Sequence, residues 1–266
     1  MQQTKTELEE SLHQFITTWR LLARPFPQAD LSDNPGLAVS WPDTHFPFYN
    51  IVFLTEELKD ADALRDRARA AATYLRAHQN SGLLLACLDR LSGTAETDFN
   101  SIMAEEKLVP ALPMTGMAGD ILPLAGTPHP DLRFVRISDD STIQTFAEIN
   151  CAAYGLPAET ALSLVKEHTL WNQHAYGFLA YVGDKPVATA TAIINEDCVF
   201  LFLVATMPDA QRKGYGDAVV RHALNTAYEA TGIKRTVLHA TEAGAPVYLR
   251  LGYHPTGKFV GCMLQS

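Results

Sequence analysis

The chain has no CxxC pair among its four cysteines, Cys87, Cys151, Cys198 and Cys262, and each lies in an apolar or helical context. That argues against a disulfide framework or a zinc knuckle, and for reduced, buried thiols in a cytoplasmic protein. No run of about 18 apolar residues is present, so no membrane span is expected. The opening "MQQTKTELEESLHQF" is polar and acidic and has no apolar core of a signal peptide. Basic residues are in the minority, 21 against 30 acidic, for a net charge of -9. Such a chain is a poor non-specific binder of nucleic acid. His168 and His174 show no metal-ligand spacing, and no metal is expected. There is neither a GxxxxGK[ST] loop nor a complete GxGxxG, since position 219 is Val.

What is present is core material: 47% of the 266 residues are apolar and 19% charged, enough for one large domain or two small ones. Leu8, Leu12, Phe15, Trp19 and Leu22 recur at helical spacing before Pro25 and Pro27. "GLAVSW" and "YNIVFLTE" read as strands. Asp60 caps a helix expected over 61–78, and "LLLACLD" follows as a strand. A short helix is expected near 99–107, then an extended piece through "ALPMTGM". "ILPLAGTPHPDL" (121–132), with three prolines, reads as a linker, which divides the chain at 1–125 and 126–266. Beyond it come the strand "LRFVRI", helices over 140–153 and 158–168, and a hairpin turning at Gly183-Asp184. The buried strand "CVFLFLVA" and a helix over 215–230 ending at Gly232 follow. Last are the strand "RTVLHAT", a short helix in "AGAPVYLRLG" and the strand "KFVGCML". The order strand, helix, strand, helix, strand runs from 49 to 117 and again from 198 to 264, which suggests a structural duplication.

The chemistry concentrates between the strand at 198 and the helix at 215. Gly214 and Gly216 stand at the helix start, just after Arg212 and Lys213. A helix start offers N–H groups without intrahelical partners and the positive end of the dipole, and glycine lets the backbone approach an anion. Strand, glycine loop and helix start together read as a diphosphate cradle.

"FLVATMPDAQRKGYGDAVVRHAL" followed by "VLHATEAGAPVYLRLGYHPTG" resembles the GNAT superfamily of acetyl-CoA-dependent N-acetyltransferases over about 132–266. The resemblance implies an α/β GNAT fold with a mixed, largely antiparallel sheet. It implies that Gln211, Arg212, Lys213, Gly214, Tyr215 and Gly216 cradle the CoA pyrophosphate. Val204, Ala205 and Thr206 would pair with pantetheine through their backbone, and Tyr248 would protonate the departing thiolate. Gln211 stands where the family often has Arg, and Thr241 where it often has Asn. The first half resembles the degenerate N-terminal lobe of tandem GNAT proteins. Its strand-to-helix turn, "TEELKDADA", has four acids and no glycine, so one CoA site per chain is expected.

The activity implied is acetyl transfer from acetyl-CoA to an amine on a small molecule or peptide. A non-catalytic acyl-CoA sensor and transfer to a hydroxyl stay open. His239, Glu196 and Glu242 are candidate general bases. "WPDTHFPFYN" (41–50) either packs a core or walls an acceptor pocket between lobes. Tyr154 and Trp171 either border an acceptor site or pack.

Overall fold

Caps and apolar periodicity place the helices. Thr6 and Glu9 form a reciprocal capping box at the start of α1 (Glu7–Ala23), whose first turn carries three acids. The computed structural model describes residues 6–126, 129–157 and 168–265. The helix expected over 158–168 lies outside the described residues except for its last position.

After α1 come β1 (Asp33–Asn34), β2 (Leu37–Ser40), β3 (Ile51–Leu54), α2 (Ala61–Arg76), β4 (Leu83–Cys87), α3 (Gly93–Thr97), α4 (Phe99–Glu105) and β5 (Leu108–Asp120). Then follow β6 (Arg133–Arg136), α5 (Asp140–Tyr154), α6 (His168–Gln173), β7 (Ala175–Val182), β8 (Lys185–Asn195) and β9 (Cys198–Thr206). α7 (Tyr215–Thr231), β10 (Arg235–Thr241), α8 (Ala245–Leu251) and β11 (His254–Leu264) complete the order.

The chain forms two compact units. Unit 1 is Met1–Met117 with His239–Tyr248 and His254–Ser266; unit 2 is Ala118–Leu238 with Leu249–Tyr253. This cuts the chain differently from the expected 1–125 and 126–266. The change of unit falls inside β5, and β11 pairs antiparallel with β4, from Phe259 opposite Cys87 to Met263 opposite Leu83. Strand pairing, rather than chain continuity, decides which residues share a core. The supposed linker is also docked: Asn225 on α7 accepts from Leu124 N–H at 2.7 Å and donates to its carbonyl at 2.9 Å. Leu122 and Leu124 are buried.

In unit 1, β3 and β4 run parallel, while β1–β2 and β2–β3 are antiparallel. Alternation along β3 sends Val52 and Leu54 into the cluster under α2, whereas Phe53 meets Phe15 of α1 edge-on at 5.4 Å. Three alanines on α2, Ala68, Ala71 and Ala72, are fully buried in that cluster and let the helix lie close to the strands.

The aromatic-rich turn 41–50 belongs to this core: Trp41, Phe46 and Tyr49 are buried, and Phe46 meets Phe48 and Tyr49 edge-on. Fully buried Asn50 ties the turn down. Its Oδ1 accepts from Thr44 N–H at 3.1 Å, and Nδ2 donates to the carbonyls of Thr44 (2.7 Å) and Ser81 (2.9 Å). Asn50→Ala leaves those three backbone groups without their partner. We expect a loss of about 3 kcal/mol, read as a lower urea midpoint at an unchanged slope.

In unit 2, β6–β7, β7–β8 and β8–β9 are antiparallel and β9–β10 parallel. The β7–β8 hairpin turns at Gly183, at φ 58. α7 packs on β7, β8 and β9, and α5 on β8 and β9. Each unit therefore contains a strand–helix–strand crossover with parallel pairing, β3–α2–β4 and β9–α7–β10.

Candidate functional site

The site begins with an irregularity in β9. Thr191 faces Phe202 and Thr189 faces Ala205, so Leu203 and Val204 together stand opposite Ala190. This two-for-one bulge holds Leu203 at φ 42, an unfavourable region for a branched L-residue. The parallel pairs with β10, Val199–Thr236 and Phe200–Val237, precede it. The Tyr154 hydroxyl donates to the Val204 carbonyl at 3.2 Å, and Met207 N–H donates to the Val187 carbonyl at 2.9 Å.

A single 3-10 turn, Pro208–Ala210, leads to the glycine loop. Arg212 has φ 61 and Gly214 φ 82, and α7 starts at Tyr215 with Gly214 as its N-cap. Gly214 supplies no side-chain cap. The first intrahelical bond runs from Ala218 N–H to the Gly214 carbonyl at 3.0 Å. The N–H groups of Gly214 to Asp217 thus have no intrahelical acceptor and are available to an anion.

The two glycines serve different needs. A Cβ on Gly216 would lie 2.9 Å from Thr206 Oγ1, so its absence lets the helix start against the strand end. A Cβ on Gly214 would meet only His129 at 3.9 Å, and what matters there is the left-handed backbone.

The charges around the loop are mostly engaged. Asp209 pairs with Lys185, which holds its carboxyl below the usual range. Asp217, in the first turn of α7, pairs with Arg221 at 2.7 Å. Arg212 and Lys213 are exposed beside the loop, Lys213 reaching the Asp209 carbonyl at 3.4 Å.

The corresponding turn of unit 1 is closed. Asp60 caps α2 by accepting from Asp62 and Ala63 N–H at 2.9 and 3.2 Å. Ala61 N–H donates to Thr94 Oγ1 at 3.0 Å. Three amides that α7 leaves open are thus occupied in α2 by the protein's own side chains.

Val204, Ala205, Thr206 and Gln211 to Gly216 all belong to unit 2. Tyr248, 9% exposed on α8, belongs to unit 1, where its ring closes on Gly244 and a Cβ there would meet Cε2 at 3.4 Å. Of the candidate bases, Glu196 sits in the β8–β9 turn at the far end of β9, roughly 20 Å of strand from Val204. His239 is partly buried: Phe15 stacks on its ring at 4.0 Å and Phe259 meets it edge-on at 4.5 Å. Its Nε2 meets Ser11 Oγ at 3.2 Å. This surround lowers His239 to about 3, which makes it a weak proton acceptor. Glu242 is exposed just beyond β10.

Trp171 is buried, edge-on to Phe146 at 4.9 Å and against Gly177, and is a packing residue. Tyr154 is different, as its hydroxyl bond shows. Sequence reasoning missed the bulge, because no glycine marks Leu203. Among the described residues no group of three or more His, Cys, Asp or Glu is placed to hold a metal ion.

Residues 143–253 match the model of the Acetyltransferase (GNAT) family. The match spans less than half of the chain, and the chain as a whole has the GNAT fold. Among solved structures it is similar to a GCN5-related N-acetyltransferase from Kribbella flavida, at 15% identity and a TM-score of 0.71, with 96% of each chain covered. A GCN5-related N-acetyltransferase from Sphaerobacter thermophilus aligns at 14% identity and a TM-score of 0.60, covering 90% of this chain and 83% of that one. A tandem GNAT protein from the clavulanic acid biosynthesis pathway aligns at 13% identity and a TM-score of 0.54, covering 96% and 94%. No curated protein matches the sequence.

Proposed function

We propose that the protein is an acetyl-CoA-dependent N-acetyltransferase with one CoA site, formed at the bulged end of β9 and the start of α7. The observation that carries this reading is the glycine-capped α7, whose four leading amides lie one short loop beyond a bulged strand end. In this reading Gln211 to Gly216 take the pyrophosphate. Val204, Ala205 and Thr206 pair with pantetheine, and Arg212 and Lys213 add charge.

A neutral amine attacks the thioester carbonyl directly. A strand-end amide stabilises the oxygen as negative charge grows on it. The N–C bond forms, the C–S bond breaks, and the amine's extra proton leaves to solvent. Tyr248 gives its phenolic proton to the departing thiolate and takes one back from solvent, which restores the phenol. The acceptor is an amine on a small molecule or peptide. The 1–125 segment acts as a degenerate lobe without a CoA of its own, since the amides of α2 are already taken. A reducing, cytoplasmic compartment suits four buried free thiols, and among the described residues no helix is long and apolar enough to cross a membrane.

The test combines calorimetry with turnover. CoA should bind with a stoichiometry of one per chain, and a panel of amines with acetyl-CoA should release free thiol in proportion to acetylated amine. Two CoA per chain would overturn the reading of the first lobe. Tight binding with no thiol release from any acceptor would make the protein an acyl-CoA sensor. Release only with alcohols would move the transfer to oxygen.

A further inference from the structure

Tyr154 is the last residue of α5, and Gly155 closes the helix behind it in the left-handed conformation. The residue is 40% exposed, so packing does not account for it as it does for Trp171. Desolvation pushes the phenol up to about 12. The hydroxyl donates to the carbonyl of Val204, one of the two residues of the β9 bulge.

The other residue of the bulge carries strain. A left-handed L-residue costs roughly 1–2 kcal/mol, and such conformations persist only where the surroundings hold them. The ladder with β8 fixes Phe202 before the bulge and Ala205 after it. Between those two pairs, the Tyr154 hydroxyl holds the Val204 carbonyl. A peptide group is planar, so holding that carbonyl fixes the plane between Val204 and Ala205 and limits rotation of Val204 itself.

We propose that Tyr154 is a positioning residue: it clamps the β9 bulge through the Val204 carbonyl and so sets the direction of the strand-end peptide groups that meet the acetyl thioester. This role rests on the acetyltransferase reading above. It makes α5, the helix on which Tyr154 sits, the element that tunes the strand end. Tyr154 itself exchanges no proton with substrate.

Tyr154→Phe keeps the ring and removes the clamp. With chemistry rate-limiting, kcat should fall about tenfold, since small misplacements of reacting groups are costly. The loss should be equal at about pH 6.5 and pH 9, because the phenol is protonated at both. Affinity for CoA should fall by no more than about threefold, because only the pantetheine pairing of 204–206 is loosened while the pyrophosphate cradle is untouched, and the melting temperature should not change. Amide hydrogen exchange should rise about tenfold at 203–206 and stay unchanged in the middle of α7.

A kcat within about twofold of wild type, or a tenfold loss of CoA affinity, would overturn the proposal. If the unmodified protein acetylates no acceptor, it is the acetyltransferase reading that fails. The exchange measurement then decides the clamp alone: faster exchange at 203–206 upholds it, and unchanged exchange ends it.

Discussion

Tyr248→Phe should lower kcat by about 10²–10⁴-fold, the range that general-acid assistance supplies. The substitution keeps the buried ring against Gly244 and removes only the hydroxyl, so the melting temperature and the affinity for acetyl-CoA should hardly move. The chemistry behind the expectation is a matching of acids. A thiol resembling cysteine has a pKa of about 8.5 and a tyrosine about 10. The phenol is therefore protonated at neutral pH and can donate as charge grows on sulfur. The measurement is kcat under conditions where the chemical step limits turnover. A value near that of the unmodified enzyme would reduce Tyr248 to a residue that packs α8.

The second large effect is expected at the helix start. Gly214→Leu puts a branched side chain at φ 82, where the backbone must come close to a diphosphate. CoA binding should be lost, by at least about 100-fold in Kd if the cradle is blocked. The fold should survive at a cost of about 1–2 kcal/mol for the left-handed backbone, because the space around a Cβ there is open. Titration with CoA and a melting curve on the same sample separate the two effects. A folded variant with unchanged CoA affinity would remove the pyrophosphate from this loop. Gly216 is a less clean probe, since a side chain there collides with Thr206 and displaces the helix as well.

Local signals were readable because they are local in the chain. Asp60 before α2, Thr6 with Glu9 before α1 and Gly232 after α7 each satisfy helix-end groups within a few residues. The apolar run 198–205 and the Gly183-Asp184 turn mark their strands in the same way. The glycine loop was legible for a related reason: strand end, cations, glycines and helix start follow one another without interruption.

The rest depends on partners distant in sequence. β5 extends over 13 residues although it includes Pro110 and Pro113, which in isolation argue against a strand. The bulge at Leu203 arises from the register against β8, and neither neighbouring residue is a glycine. The bond from Tyr154 to Val204 spans 50 positions, and no pattern in either segment announces it. The docking of Leu124 and Ala125 was equally hidden, because the residues that hold them, Asn225 and Arg221, lie about a hundred positions further on.

The place of β11 carries a consequence for the order in which the protein is made. β4 emerges from the ribosome well before the strand that covers its free side, and the whole of β6 to β10 is synthesised in between. Until then Leu83, Leu84 and Leu85 present an apolar strand edge with unpaired amides and carbonyls, which is the kind of surface that recruits strands from other chains. The first unit therefore cannot finish folding while the second is still being translated. A gene fragment ending at residue 125 would encode that unprotected state as its end product.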